Sequence, residues 1–178
     1  LAGFEDLASQ VAAKKKRLDE TAIAVVKANE HGWWVKEIQR GRWDVRECAV
    51  RILKVIKDNR PVAVGIEKGS LKNAVMPYLN EQMKRFSLYF PIQELTHGNK
   101  KKSERITWAL QGRMEHGRIQ MVKGSWNRDF MSQLMDFPNP LVHDDLVDAV
   151  AYVDQIAISD YANNFEVVEY EVLDLCSG

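Results

Sequence analysis

The sequence predicts an α/β domain: a central mixed β-sheet with an antiparallel hairpin at its start and parallel strands after it, flanked by helices. Three observations carry that prediction. "TAIAVVKA" (Thr21 to Ala28) and "WWVKEIQR" (Trp33 to Arg40) are β-branched, largely apolar runs joined by "NEHG", a hairpin turn. After them, helical and strand-like periods alternate, the pattern of crossover connections. The run "VAVGIE" is apolar without alternation, as in a strand covered on both faces.

Each element follows in order. "LAGFEDLA" reads as a short strand entering a loop, and Lys14 to Glu20 is polar. Asp44 is a candidate N-cap with Glu47 three residues on, so a helix is expected to follow with Cys48, Ile52, Val55 and Ile56 on one face, ending near Asn59. Pro61 leads into the strand ending at Glu67. Leu71 to Phe86 is amphipathic, with Pro77 expected to delay or kink it. "YFPIQEL" is a strand, Ser103 to Glu115 a helix, Gly117 to Val122 a short strand and Trp126 to Met135 a helix. The last helix is expected to begin with "LVHDDLVDAVAY", apolar nearly all the way round and therefore deep in the fold. Residues 1–163 form one domain, and 164–178 are an acidic tail or an edge strand.

Composition bounds the function. At 178 residues, 46% hydrophobic and 28% charged, the chain is one ordinary globular domain. It has no apolar run long enough to span a membrane and no visible signal peptide. Cys48 and Cys176 fit no metal-ligand spacing, four scattered histidines suggest no zinc site, and a reducing, intracellular setting is the simplest reading. Net charge is zero, so a polyanionic partner is argued from distribution: Lys14, Lys15, Lys16 and Arg17 form one basic cluster, and Lys100, Lys101, Lys102 and Arg105 another. Either is equally a solvated surface loop. The five tryptophans fit core or hairpin packing better than base stacking. The chain begins at Leu1 and not at Met, so it is expected to be a piece of a longer polypeptide.

The acids are the informative feature. Asp145 and Asp148 lie three apart on one helical face, where two carboxylates near a core need neutralising. Mg²⁺ or Mn²⁺ would do this through carboxylate oxygens; the alternative is a helical first turn in which acids meet the helix dipole and solvent. Glu67 ends a central strand, where open α/β sheets expose their ligand crevice. Asp6 ends the first strand and Asp19 precedes the second. Acids so distributed suit two divalent ions about 3.5–4 Å apart, an arrangement that hydrolyses phosphodiesters.

These stretches resemble the nuclease domain of the large terminase subunit of tailed bacteriophages, a ribonuclease H-like fold. The resemblance rests on "DLA" at Asp6, "KKKRLDETAIAVV", "GRW" at Gly41 to Trp43, "VGIEKG" around Glu67, "KKSERI" and "HDDLVDAVAY", and covers the chain to about Ile158. It implies a metal-dependent endonuclease that cuts concatemeric double-stranded viral DNA during packaging, with Mg²⁺ or Mn²⁺ as cofactor. Asp6, Glu67 and Asp145 would be the catalytic metal ligands, Asp148 would complete or support the site, and Asp19 matches an additional acid of some terminases. Either Asp144 or Asp145 fits the family's paired aspartates; spacing to Asp148 favours Asp145. Both basic clusters would contact DNA, the second beside the metal centre. The implied setting is the host cytoplasm, with portal and small terminase subunit as partners. No GxxxxGK[ST] occurs in the chain, so an ATPase motor is expected before Leu1. Two other readings stand beside this one: a Holliday-junction resolvase with the same metals, and a non-catalytic docking module of the packaging motor.

Overall fold

The computed structural model describes residues 20–157 apart from positions 97 and 140. The expected first strand with Asp6, the basic run at Lys14 to Arg17, Asp19 and the acidic tail lie outside the described residues.

The hairpin forms as the sequence dictates. Strand β1 (Thr21–Asn29) pairs antiparallel with β2 (Gly32–Gly41), and the register shifts between Val25 and Val26 opposite Lys36. Asn29 closes the turn: its Oδ1 accepts hydrogen bonds from the backbone of His31 (2.9 Å) and Gly32 (3.2 Å). Gly32 has φ +154°, and a Cβ there would sit 2.4 Å from the Arg118 carbonyl oxygen, so only glycine fits beside that backbone.

Helix α1 (Val45–Asn59) starts at Asp44, whose Oδ1 accepts from the Glu47 amide at 2.8 Å. The other half of the expected capping box is replaced by an ion pair: the Glu47 carboxylate is taken by Arg51 at 2.8 Å. The buried face is Cys48, Ala49, Leu53, Val55 and Ile56, with Ile52 half-buried. Arg60, in the left-handed region at φ 45°, ends the helix before Pro61.

Strand β3 (Val64–Glu67) is shorter than expected and half-buried, with Glu67 itself exposed. Helix α2 (Ser70–Phe86) runs through Pro77 and starts ahead of it, so the proline does not delay the helix. Strand β4 (Ile92–Leu95) pairs parallel with β3 and begins just after Pro91, which has no N–H to donate to a ladder. Helix α3 (Lys102–Glu115) leads to β5 (Ile119–Met121), which pairs parallel with β2. Helix α4 (Asn127–Asp136) precedes α5 (Asp145–Ala151). Among the described residues the strand orders are β1-β2-β5 and β3-β4, a mixed arrangement of antiparallel and parallel ladders.

Two apolar cores cover the sheet's faces. Trp33, Val35 and Ile38 of β2 meet Ile106, Ala109 and Leu110 of α3, Phe130 of α4, and Leu146, Val147 and Val150 of α5. The second joins Cys48, Ala49 and Leu53 of α1 to Val75 and Leu79 of α2, with Ile23, Ile66 and Ile92 against it. Strand β1 serves both: Ile23 faces the second core, while Ala24 and Val26 face the first. That is the period of two expected of a strand covered on both sides.

The last helix begins four residues later than its apolar pattern suggests. Leu141 is 91% exposed and Val142 is also exposed, whereas Leu146, Val147, Val150 and Ala151 are buried. The motif's first apolar residues are therefore not core. The chain is helical again over 153–157, where Gln155 clasps the end of β4: its Oε1 accepts from Thr96 N (3.1 Å) and its Nε2 donates to Thr96 O (2.8 Å).

Candidate functional site

The acidic face of α5 is built from its neighbours. The buried Gln133 of α4 uses Oε1 to accept from the Leu146 amide at 2.9 Å, satisfying a first-turn donor of α5. The Asp144 side chain, in the N-cap position, makes no capping hydrogen bond and pairs with α3 instead. There the Lys102 ammonium donates to Asp144 Oδ1 at 2.6 Å and lies 3.3 Å from Asp148 Oδ2. Arg105 Nη2 donates to Asp148 Oδ1 at 2.5 Å, and both side chains of this pair are about nine-tenths buried. Lys102 and Arg105 occupy the first turn of α3, where the helix dipole disfavours cations; the α5 acids supply the compensating charge. Burial alone would push the Lys102 pKa down, but hydrogen bonds and attraction from Asp144 and Asp148 outweigh it and raise the pKa.

Asp145 differs from its two neighbours. Its carboxyl is half-buried, and that burial raises its pKa above the usual range; Lys102 and His143 partly oppose the shift, while Asp144 and Glu20 add to it. The His143 ring lies beside it, Nδ1 to Oδ2 at 3.5 Å. Asp145 and Asp148 line one cleft with Glu67 at the end of β3, Glu20 at the start of β1 and Tyr152 after α5. Tyr152 is buried and carries the Arg105 guanidinium over its ring at 3.9 Å. Burial pushes the Tyr152 pKa up, and the Glu67 and Asp148 carboxylates add to the shift while Arg105 opposes it.

The structure thus brings Glu67, Asp145 and Asp148 to one cleft; Asp6 and Asp19 lie outside the described residues. The expected DNA-contact segment divides. Lys100 and Lys101 are exposed, Lys100 lying 4.8 Å from the Trp108 ring, whereas Lys102 and Arg105 turn inward to the acids. Arg105, 9% exposed, is therefore a buried partner of Asp148 and not a surface contact for phosphate. Trp33 and Trp43 are buried and Trp34 and Trp126 half-buried, but Trp108 is 74% exposed and departs from the expected packing role. Cys48 is buried, and burial pushes its thiol up to about 11, far from a reactive or ligating thiolate at neutral pH.

Sequence reasoning missed Glu20, Gln133 and Tyr152. Glu20 is adjacent to Asp19 in "RLDE", and its loose ion pairs to Arg40 and Arg42 are both 3.8 Å. Tyr152 closes the quoted helix motif but is separated in sequence from the Glu67 with which it lines the cleft. No local signal marked Gln133.

Hard carboxylate oxygens are the donors Mg²⁺ or Mn²⁺ requires. Asp145 and Glu67 have the right donor chemistry, and burial, the main cause of the raised Asp145 pKa, makes a charged carboxylate there costly without a cation. Among the described residues no three acids, histidines or cysteines close into a full ligand group, and Asp148 is engaged by Lys102 and Arg105.

An α/β domain with acids at a strand end and on a late helix defines a ribonuclease H-like class of protein. The family model for the terminase RNaseH-like domain matches residues 6–153, and the chain belongs to that family. Membership fits a nuclease of phage DNA packaging. No curated protein matched the chain. No described helix is long and apolar enough to cross a membrane.

Proposed function

We propose that this domain is a divalent-metal-dependent endonuclease that cuts double-stranded concatemeric DNA during genome packaging. The observation that carries the reading is Asp145: a half-buried carboxyl that lines one cleft with Glu67 in a terminase-family fold. Asp6, Glu67 and Asp145 would hold Mg²⁺ or Mn²⁺, with Asp19 as an additional acid and Asp148 supporting the site. Two such ions, when bound, supply activation of water and charge stabilisation at the leaving oxygen.

The chain's own residues do the rest. Lys102 balances Asp144 and Asp148 at the first turn of α5, beside Asp145. Lys100 and Lys101 are free to meet the DNA backbone, and Lys14 to Arg17 form a second basic contact; such contacts position DNA without reading sequence. The domain works beside an ATPase motor on the same polypeptide, with portal and small terminase subunit as partners, in the host cytoplasm.

The test is cleavage of supercoiled plasmid. We expect nicking and linearisation with Mn²⁺ or Mg²⁺, none with EDTA, and none from Asp145→Asn or Glu67→Gln with their folds intact. Cleavage by either variant at the wild-type rate would refute the site.

A further inference from the structure

We propose that Trp108 is a stacking platform for an unpaired base of the DNA strand led to the cleft, with the neighbouring phosphates held by Lys100 and Lys101. The indole is 74% exposed on α3, whereas the other four tryptophans are buried or half-buried. A single exposed apolar side chain is ordinary. What distinguishes Trp108 is what surrounds it.

On one side is positive charge. The Lys100 ammonium lies 4.8 Å from the ring centroid, and Lys101 next to it is exposed. Glu104 is the single acid in the first turn of α3, so the two lysines leave this end of the helix net cationic. On the other side is Gly112, one turn further along the same helix, where glycine disfavours helix by roughly 1 kcal/mol relative to alanine. A Cβ built there would meet nothing within 4 Å, so no packing requires the glycine. Helical side chains lean toward the N-terminus, and one at this position would lie over the turn that carries Trp108. Its absence leaves bare backbone beside the indole, with room for a flat ring.

Lysines, an open indole and a bare approach are the parts of a single-strand site: phosphates on the cations, a base on the aromatic face. That the strand is the one to be cut rests on the nuclease reading above. The position suits it, because Lys102, which reaches Asp144 and Asp148, lies less than two turns before Trp108. The two are about 9 Å apart along the helix axis, roughly three base steps of a DNA strand. Bases inside a duplex are covered by their neighbours, so the platform selects a frayed, nicked or melted position.

The test is made in EDTA, so that neither metal nor cleavage enters. A fluorescein-labelled oligothymidylate and a blunt duplex of the same length are titrated with wild type and Trp108→Ala, read by anisotropy. Trp108→Ala should weaken single-strand binding by roughly 5- to 150-fold, the loss of one base–aromatic stack, and leave duplex binding unchanged. Trp108→Phe, which keeps a ring, should restore most of the affinity. Equal single-strand affinity in wild type and Trp108→Ala overturns the proposal. So does an equal loss on both DNAs, or a wild type that binds no single strand. Should Trp108→Ala fail to fold, Trp108→Gln takes its place with the same outcomes. Plasmid cleavage judges the nuclease reading separately. Nicking by a wild type whose oligonucleotide affinity does not depend on Trp108 overturns the platform and leaves the nuclease. The predicted binding without any plasmid cleavage supports the platform and overturns the nuclease reading.

Discussion

Asp145 and Asp148 are one turn apart yet chemically unlike, and the difference comes from α3. Arg105 and Lys102 neutralise Asp148, while at Asp145 burial outweighs the attraction of Lys102 and His143. Because folding raises the Asp145 pKa, the native state holds that proton more tightly than the unfolded chain. Its contribution to stability is therefore present below the ordinary carboxylate range and is lost as pH rises through the raised value. Asp145→Asn should accordingly raise the melting temperature of the metal-free protein at neutral pH, with the gain vanishing toward acid pH; scanning calorimetry across that range checks this. Arg105→Met should do the opposite, leaving Asp148 buried without its partner at a cost of about 3–5 kcal/mol by urea unfolding. At this scale the sequence was partly legible. The spacing that puts Asp145 and Asp148 on one face was visible, but whether an acid is free or taken depends on residues some forty positions away, which no local pattern encodes.

The elements themselves were mostly readable, because hairpin turn, N-cap and apolar period are local signals. Asn29 and Asp44 make the hydrogen bonds their positions predict. The failures have physical causes. Helix α5 starts at Asp145, where Gln133 offers an acceptor to Leu146, and not at Leu141, although the apolar pattern continues upstream. Pro77 is accommodated within α2. Gln133→Leu should cost about 1–3 kcal/mol by chemical denaturation, the usual loss when a buried amide is left without its acceptor. Gly32→Ala should cost about 2–3 kcal/mol, since the added methyl meets the Arg118 backbone where β5 joins the hairpin. Sequence marked Gly32 as a turn residue, but its closeness to Arg118 is a tertiary fact.

At the scale of the molecule, two apolar cores form among the described residues, and Glu20, Glu67, Asp145 and Asp148 line a cleft with β1 and β3. Helix α3 is the pivot. Its inner face packs Ile106, Ala109 and Leu110 into the core, its first turn balances α5, and Trp108 with Lys100 stands outside. The fold class and family were legible because "VGIEKG" and "HDDLVDAVAY" sit at the ends of elements that the topology gathers. The most direct test of the central claim, that Asp145 and Glu67 belong to a metal centre, is a calorimetric titration of Mn²⁺ into wild type and Asp145→Asn without DNA. Saturable binding in wild type and its loss in the variant is the predicted result. Equal binding by both, or none by either, would mean that the aspartates of "HDDLVDA" are there to build the helix and not to hold metal.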